Sequence, residues 1–180
     1  MRLVRTTITL PAATLAQVAS LDAAIDRLAA AARALPDPDA PTTGEWSGRM
    51  VVAHVVLWHE SFARNVADLA AGRRPSPLAG TYAVLAARTR TELGDLPIDT
   101  LLGRLEAAQA VIRQHVGSPR IALIPYRRGS RRYAPAEHLT VTADHVARHA
   151  AELERAGTSK DRGAHRAGPP ARRPGGIQPA

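Results

Sequence analysis

Residues 135–157 read PAEHLTVTADHVARHAAELERAG, and this stretch decides the fold class. Leu139, Ala143, Val146, Ala150 and Leu153 recur at three- and four-residue steps, the period of an α-helix with one apolar stripe. Pro135 stands at a first-turn position, where its fixed φ suits a helix start and its missing N–H leaves no bond unmade. Gly157 is placed to end the helix. His145 and His149 each precede a stripe residue, so they lie at the edge where a neighbouring helix packs. Four residues apart, their side chains leave one face with Cβ atoms about 5–6 Å apart. That spacing lets two imidazoles reach one small divalent ion.

The same period recurs upstream. Leu15, Val18, Leu21, Ile25 and Leu28 predict a helix over Leu15–Leu35, stopped by the Pro-Asp-Pro-Asp run 36–39. Ser47 is a candidate N-cap for a second helix with Val51, Val55, Trp58, Phe62 and Leu69 on its stripe, ended by the Gly/Arg/Pro segment 72–77. Leu78–Leu93 is a shorter helical piece. Pro97 and Asp99 open a third long helix that runs to about Val116 through Leu101, Leu102, Leu105, Ala108 and Ile112. Residues 120–134 are irregular, with Ile121–Ile124 as a short extended candidate. Four main helices without a convincing sheet predict an all-α four-helix bundle over residues 1–156. A disordered Gly/Pro/Arg-rich tail over 157–180 follows, too polar to pack.

Composition narrows the chemistry. The chain of 180 residues has no cysteine, which excludes disulfides, thiolate metal sites, Fe–S clusters and a protein thiol nucleophile. No stretch approaches 18 uncharged apolar residues, so a membrane span is not expected. Arg2 and Arg5 precede a mildly apolar stretch, Ile8–Val18, but Thr9, Pro11 and Thr14 interrupt it, so a cytoplasmic location is expected. The formal charge is +8, and the segment 157–180 carries +4 of it. A basic tail is able to touch nucleic acid, yet this one lacks interleaved aromatics and reads as solvated. Arg127, Arg128, Arg131 and Arg132 form a second basic cluster ahead of the last helix. It is either a solvated loop or a device that steers an anionic ligand. One lysine accompanies 23 arginines, a coding bias that weakens any argument from arginine number. The sequence leaves a homodimer open.

On the second helix, His54 lies three residues after Val51 and four before Trp58, on or beside the buried face. With His145 and His149 it makes three histidines facing the bundle interior, where bundle metal sites are assembled. Imidazole suits Zn, Ni, Fe and Cu, and the lack of carboxylate clusters argues against Ca or Mg. The competing reading is that the spacing arose by chance and these are hydrogen-bonded core histidines. His59 lies about 140° around the helix from His54, and His138 about 10 Å along the axis from His145. His115 sits at a helix end and His165 in the tail. All four are read as non-ligands.

Glu45-Trp46-Ser47, then Val52-Ala53-His54-Val55 and Leu57-Trp58-His59-Glu60, resemble the second-helix pattern of the DinB/YfiT-like superfamily of metal-binding four-helix bundles. Ala143–Leu153, reading ADHVARHAAEL, is similar to that family's fourth-helix motif. Helix order and length agree over about residues 13–156, while only these two segments are specific. The resemblance implies a divalent metal held by His54, His145 and His149, Zn first, with Ni or Fe as alternatives. The superfamily contains thiol-dependent transferases and isomerases, including mycothiol-dependent maleylpyruvate isomerase. It also contains the colibactin-resistance type of cyclopropane hydrolase. The Leu57–Glu60 stretch and the Tyr126–Tyr133 loop bear some likeness to that resistance branch.

Such a metal lowers the pKa of bound water to about 7 and polarises an electrophile; a bound thiol is held as its nucleophilic thiolate. The expected function is therefore addition of a metal-activated low-molecular-weight thiol, such as mycothiol, or of water, to an electrophilic small molecule. One alternative is a self-resistance protein that hydrolyses or sequesters an electrophilic natural product. Another is a non-catalytic small-molecule binding protein. No catalytic acid or base stands out. Trp58, Phe62, Tyr126 and Tyr133 are candidate pocket residues. Asp144 and Glu152 are candidate partners for an imidazole N–H, with Glu152 expected on His145, seven residues before it.

Overall fold

A computed structural model describes residues 12–43 and 46–164. Its elements in chain order are α1 (Ala12–Arg33), β1 (Pro41–Thr43), β2 (Trp46–Ser47), α2 (Gly48–Ala70), α3 (Tyr82–Leu93), α4 (Ile98–His115), β3 (Ile124–Pro125), β4 (Arg132–Tyr133) and α5 (Pro135–Ala164). The fold is mainly helical. Glu45, residues 165–180 of the tail expected over 157–180, and the N-terminal basic residues lie outside the described residues.

Each expected helix forms, although α3 begins at Tyr82 and not at Leu78. Ser47 caps α2 as expected: its extended backbone turns the hydroxyl onto the Met50 N–H at 3.3 Å. Thr81 caps α3 in the same way through the Val84 N–H. Pro97 precedes α4, and Pro135 opens α5. Gly72, at φ +73°, ends the run beyond α2 in the left-handed region that favours glycine.

The helices pair in a definite way. α1 lies along α5, α2 lies along α4, and α3 rests on α2. Leu21, Ile25 and Leu28 of α1, Val51, Val55 and Val66 of α2, Leu101, Leu105 and Ile112 of α4, and Leu139, Val146 and Leu153 of α5 are buried in one cluster. Leu15, in the first turns of α1, is half exposed and outside that cluster. α2 is the most enclosed helix: Val51, Val52, Ala53 and the run Val55–His59 are all buried. Gly48 permits its entry, since a Cβ there would run into Leu35. The Arg49 N–H bonds Pro38 O at 2.9 Å, and its guanidinium pairs with Asp39.

Two short antiparallel ribbons fill the connections. β1 pairs with β2, which sets Trp46 beside the start of α2. β3 pairs with β4 through Ile124–Tyr133 and Pro125–Arg132, so of the extended stretch expected at 121–124 only Ile124 is in a strand. A parallel bridge between Leu78 and Arg127 ties this hairpin to the connection before α3. One expectation is corrected. Gly157 does not end the last helix, which continues to Ala164. A helix-interior glycine costs only about 1 kcal/mol relative to alanine, and the residues on either side propagate the helix through it.

Candidate metal centre

Three imidazoles converge from two helices. His54 enters from α2, and His145 and His149 from successive turns of α5. His54 Nε2 lies 3.2 Å from His145 Nε2, and His149 Nε2 lies 3.0 Å from the same atom. The three ligating atoms all lie within 4.8 Å of one another. With metal–nitrogen bonds of about 2.0–2.1 Å, donors on one metal stand roughly 3.0–3.4 Å apart. The two short separations fall in that range.

Proton placement leaves room for a cation among the three rings. His149 donates through Nδ1–H to Glu152 Oε2 at 2.8 Å, because a carboxylate only accepts. Its Nε2 faces His145. His145 Nε2 carries at most one proton, yet it faces two ring nitrogens. If it donates to His149, His54 must present a bare Nε2 and hold its proton on Nδ1. If it does not donate, it accepts from a ring nitrogen that carries a proton. A cation on all three Nε2 atoms calls for the same His54 tautomer, with its proton on Nδ1, a buried atom without a partner among the described residues, and burial keeps His54 and His145 in the ligand form. Burial, then the charge of His149, pushes His54 down to about 4. Burial, then His149 and His54, pushes His145 down to about 3. Both rings are neutral at pH 7.

Aromatic rings wall this centre. Trp46 stands edge-on to His54 at 5.2 Å between centroids, and Trp58 approaches His54 and His145 at 6.1 and 6.4 Å. Tyr126 stacks on Trp58 at 4.8 Å, with Tyr82 beyond at 5.9 Å. Burial raises the Tyr126 phenol to about 12, so it remains a proton donor. Trp58, Phe62, Pro125, Tyr126, His138, Thr142 and His145 enclose a cavity of about 10 Å³, the room of a single water. Trp58 and Phe62 are buried core residues that also line this small void. Tyr133 reaches Tyr126 and His138 at 6.1 and 5.7 Å, with no ring contact to the three histidines among the described residues.

The remaining expectations sort cleanly. His59 points away and is 1% exposed; its Nε2–H donates to Gln109 Oε1 at 2.9 Å. Gln109 in turn donates to Asp22, which also accepts from Arg113. This chain ties α2, α4 and α1 together. His138 stacks on Phe62 at 4.0 Å. The Thr142 hydroxyl donates to His138 O at 2.8 Å, so the 3.3 Å contact between that hydroxyl oxygen and His138 Nδ1 makes Nδ1 the donor. His138 Nε2 is then an unpartnered acceptor among the described residues. Asp144 is exposed and meets no imidazole among the described residues. Glu152 does hold an imidazole, but that of His149. Seven residues put His145 about 10 Å of helical rise away, while three residues put His149 within reach.

Trp46 and Tyr82 were not foreseen as neighbours of the site. Trp46 is carried there by the β1–β2 ribbon, and Tyr82 by the long connection after α2. Neither contact has a periodic signal in the sequence. No helix of the described residues is long and apolar enough to cross a membrane. Comparison with protein-family models, curated proteins and solved structures finds no match to this chain.

Proposed function

We propose that the chain is a DinB-like metalloenzyme that adds a low-molecular-weight thiol or water to an electrophilic small molecule. On this reading α1, α2, α4 and α5 form a four-helix bundle, with α3 and the two ribbons as additions between its helices. The observation that carries it is the convergence of the His54, His145 and His149 Nε2 atoms. A divalent metal there, Zn by preference, lowers the pKa of a bound nucleophile and acts as a Lewis acid. Three neutral donors leave the metal's charge undiminished and leave positions open, as in catalytic sites.

The chain's own residues supply the rest. Glu152 fixes the His149 tautomer and ring plane, and raises its basicity as a ligand. Trp46 and Trp58 shield the imidazoles from bulk water on two sides. With no cysteine in the chain, thiol chemistry draws on an external thiol. The test is mass spectrometry of an electrophile, such as a maleimide or an epoxide, incubated with a thiol and metal-loaded, metal-stripped or His149→Ala protein. The reading expects accelerated adduct formation only with the loaded protein. An unmodified electrophile retained at one equivalent in all three samples would make the protein a sequestering one instead.

A further inference from the structure

We propose that the chain carries a second binding site, an arginine-lined groove that takes the phosphate or carboxylate end of a small organic anion. The groove lies between the connection after α2 and the β3–β4 hairpin and has a volume of about 910 Å³. That is the size of a site for a drug-sized ligand. Arg74, Arg127, Arg128 and Arg132 line it, and among the described residues no carboxylate does.

The contrast with the rest of the surface carries the inference. Eight arginines among the described residues pair with carboxylates: Arg27, Arg33, Arg49, Arg73, Arg88, Arg104, Arg113 and Arg131. None of the eight lines the groove. The sorting even splits sequence neighbours. Arg73 turns to Asp68 while Arg74 lines the groove, and Arg131 turns to Glu137 while Arg132 lines it. Of the four basic residues singled out in the sequence, three thus face one cleft and are joined by Arg74 from a distant loop. Four like charges gathered without a counter-charge repel one another, and an anion relieves that repulsion.

The groove is also built rather than merely charged. Arg127 is held in place: it donates to Gly80 O at 2.7 Å, and its guanidinium lies 5.3 Å from the Tyr82 ring centroid. Its Nε is buried with no partner among the described residues. The turn 127–130 is locked by the Ser130 hydroxyl, which accepts from the Arg127 N–H and donates to Arg127 O, and by Gly129 at φ +78°. Leu69, Leu123 and Pro125 supply an apolar wall, and Leu123 is 49% exposed. Guanidinium forks bind two-oxygen anions in pairs of parallel hydrogen bonds. The matching ligand has an anionic head and a compact apolar body. The site does not depend on the metal centre.

Phenyl phosphate is the probe, titrated calorimetrically into the full chain. We expect saturable binding at one site, weakened about tenfold or more in Arg128→Gln/Arg132→Gln, the loss of two charge-assisted contacts. Arg88→Gln, whose partner is Glu92, should bind as the wild type does, and so should His149→Ala. Thermal melting confirms that each variant is folded. Absence of saturable binding, or equal binding by the double variant, overturns the proposal. Loss of binding in His149→Ala would place the ligand at the imidazoles and overturn it too. So would a short oligothymidylate that binds through Arg128 and Arg132 when phenyl phosphate does not, which would make the groove a nucleic-acid surface.

Discussion

Glu152 supports His149 and not His145: its Oε2 lies 2.8 Å from His149 Nδ1, one turn along α5. A carboxylate behind an imidazole selects the tautomer whose Nε2 is bare. It also opposes rotation of the ring and strengthens its donation to a metal. Glu152→Ala should therefore weaken Zn affinity by roughly 10- to 100-fold, the usual cost of losing such a partner. Glu152→Gln, which retains an acceptor but not the charge, should lie between it and the wild type. Competition against a chromophoric chelator measures both. Unchanged affinity in Glu152→Ala would mean the carboxylate does not act through His149.

Buried histidines set an acid limit on stability, and in metal-stripped protein His54 and His145 add to the loss caused by His59 and His138. Burial pushes His59 and His138 each down to about 4, opposed at His59 by its bond to Gln109. The folded pKa lies below the unfolded value of about 6.5. The unfolded chain thus binds more protons between those two limits, and stability falls as pH drops through that window. Each histidine accounts for a loss on the order of 3 kcal/mol by pH 4. Urea unfolding of metal-stripped protein should show a plateau above about pH 7 and a steady decline below 6.5. His138→Gln should flatten that decline, and a curve flat from pH 7 to 4.5 would contradict the assignment.

Gly157 gives a separate test of the last helix. It lies within α5, and a Cβ added there meets nothing within 4 Å. Gly157→Ala should stabilise the protein by about 0.5–1 kcal/mol, the difference between the two residues inside a helix. Were the helix to end at this position in a left-handed cap, the same change would destabilise. Thermal melting distinguishes the two signs.

What the sequence reveals follows the range of its periodicities. Helical spacing located α1, α2, α4 and α5, put His54 beside a buried stripe, and placed His145 and His149 on one face. Their convergence across helices was an expectation drawn from their place beside the buried stripes and from a sequence resemblance. Short-range geometry was legible where a single helix decided it, as with the Ser47 cap, and was misread where two partners competed for one side chain. Glu152 shares a face with both His145 and His149, and only distance along the axis separates them. Trp46, Tyr82 and Arg74 reach their positions through ribbons and loops, whose paths carry no repeat. Gly157 reads as a stop because glycine favours helix ends, yet the residues around it outweigh that preference.

The central claim is the shared metal site. Elemental analysis of protein purified without chelator and equilibrated with Zn measures it most directly. The wild type and His59→Ala should each hold close to one equivalent per chain, as one three-histidine site requires. His54→Ala, His145→Ala and His149→Ala should each lose most of it while remaining folded by circular dichroism. Equal metal retention by all four variants, or no metal in the wild type, would contradict the account.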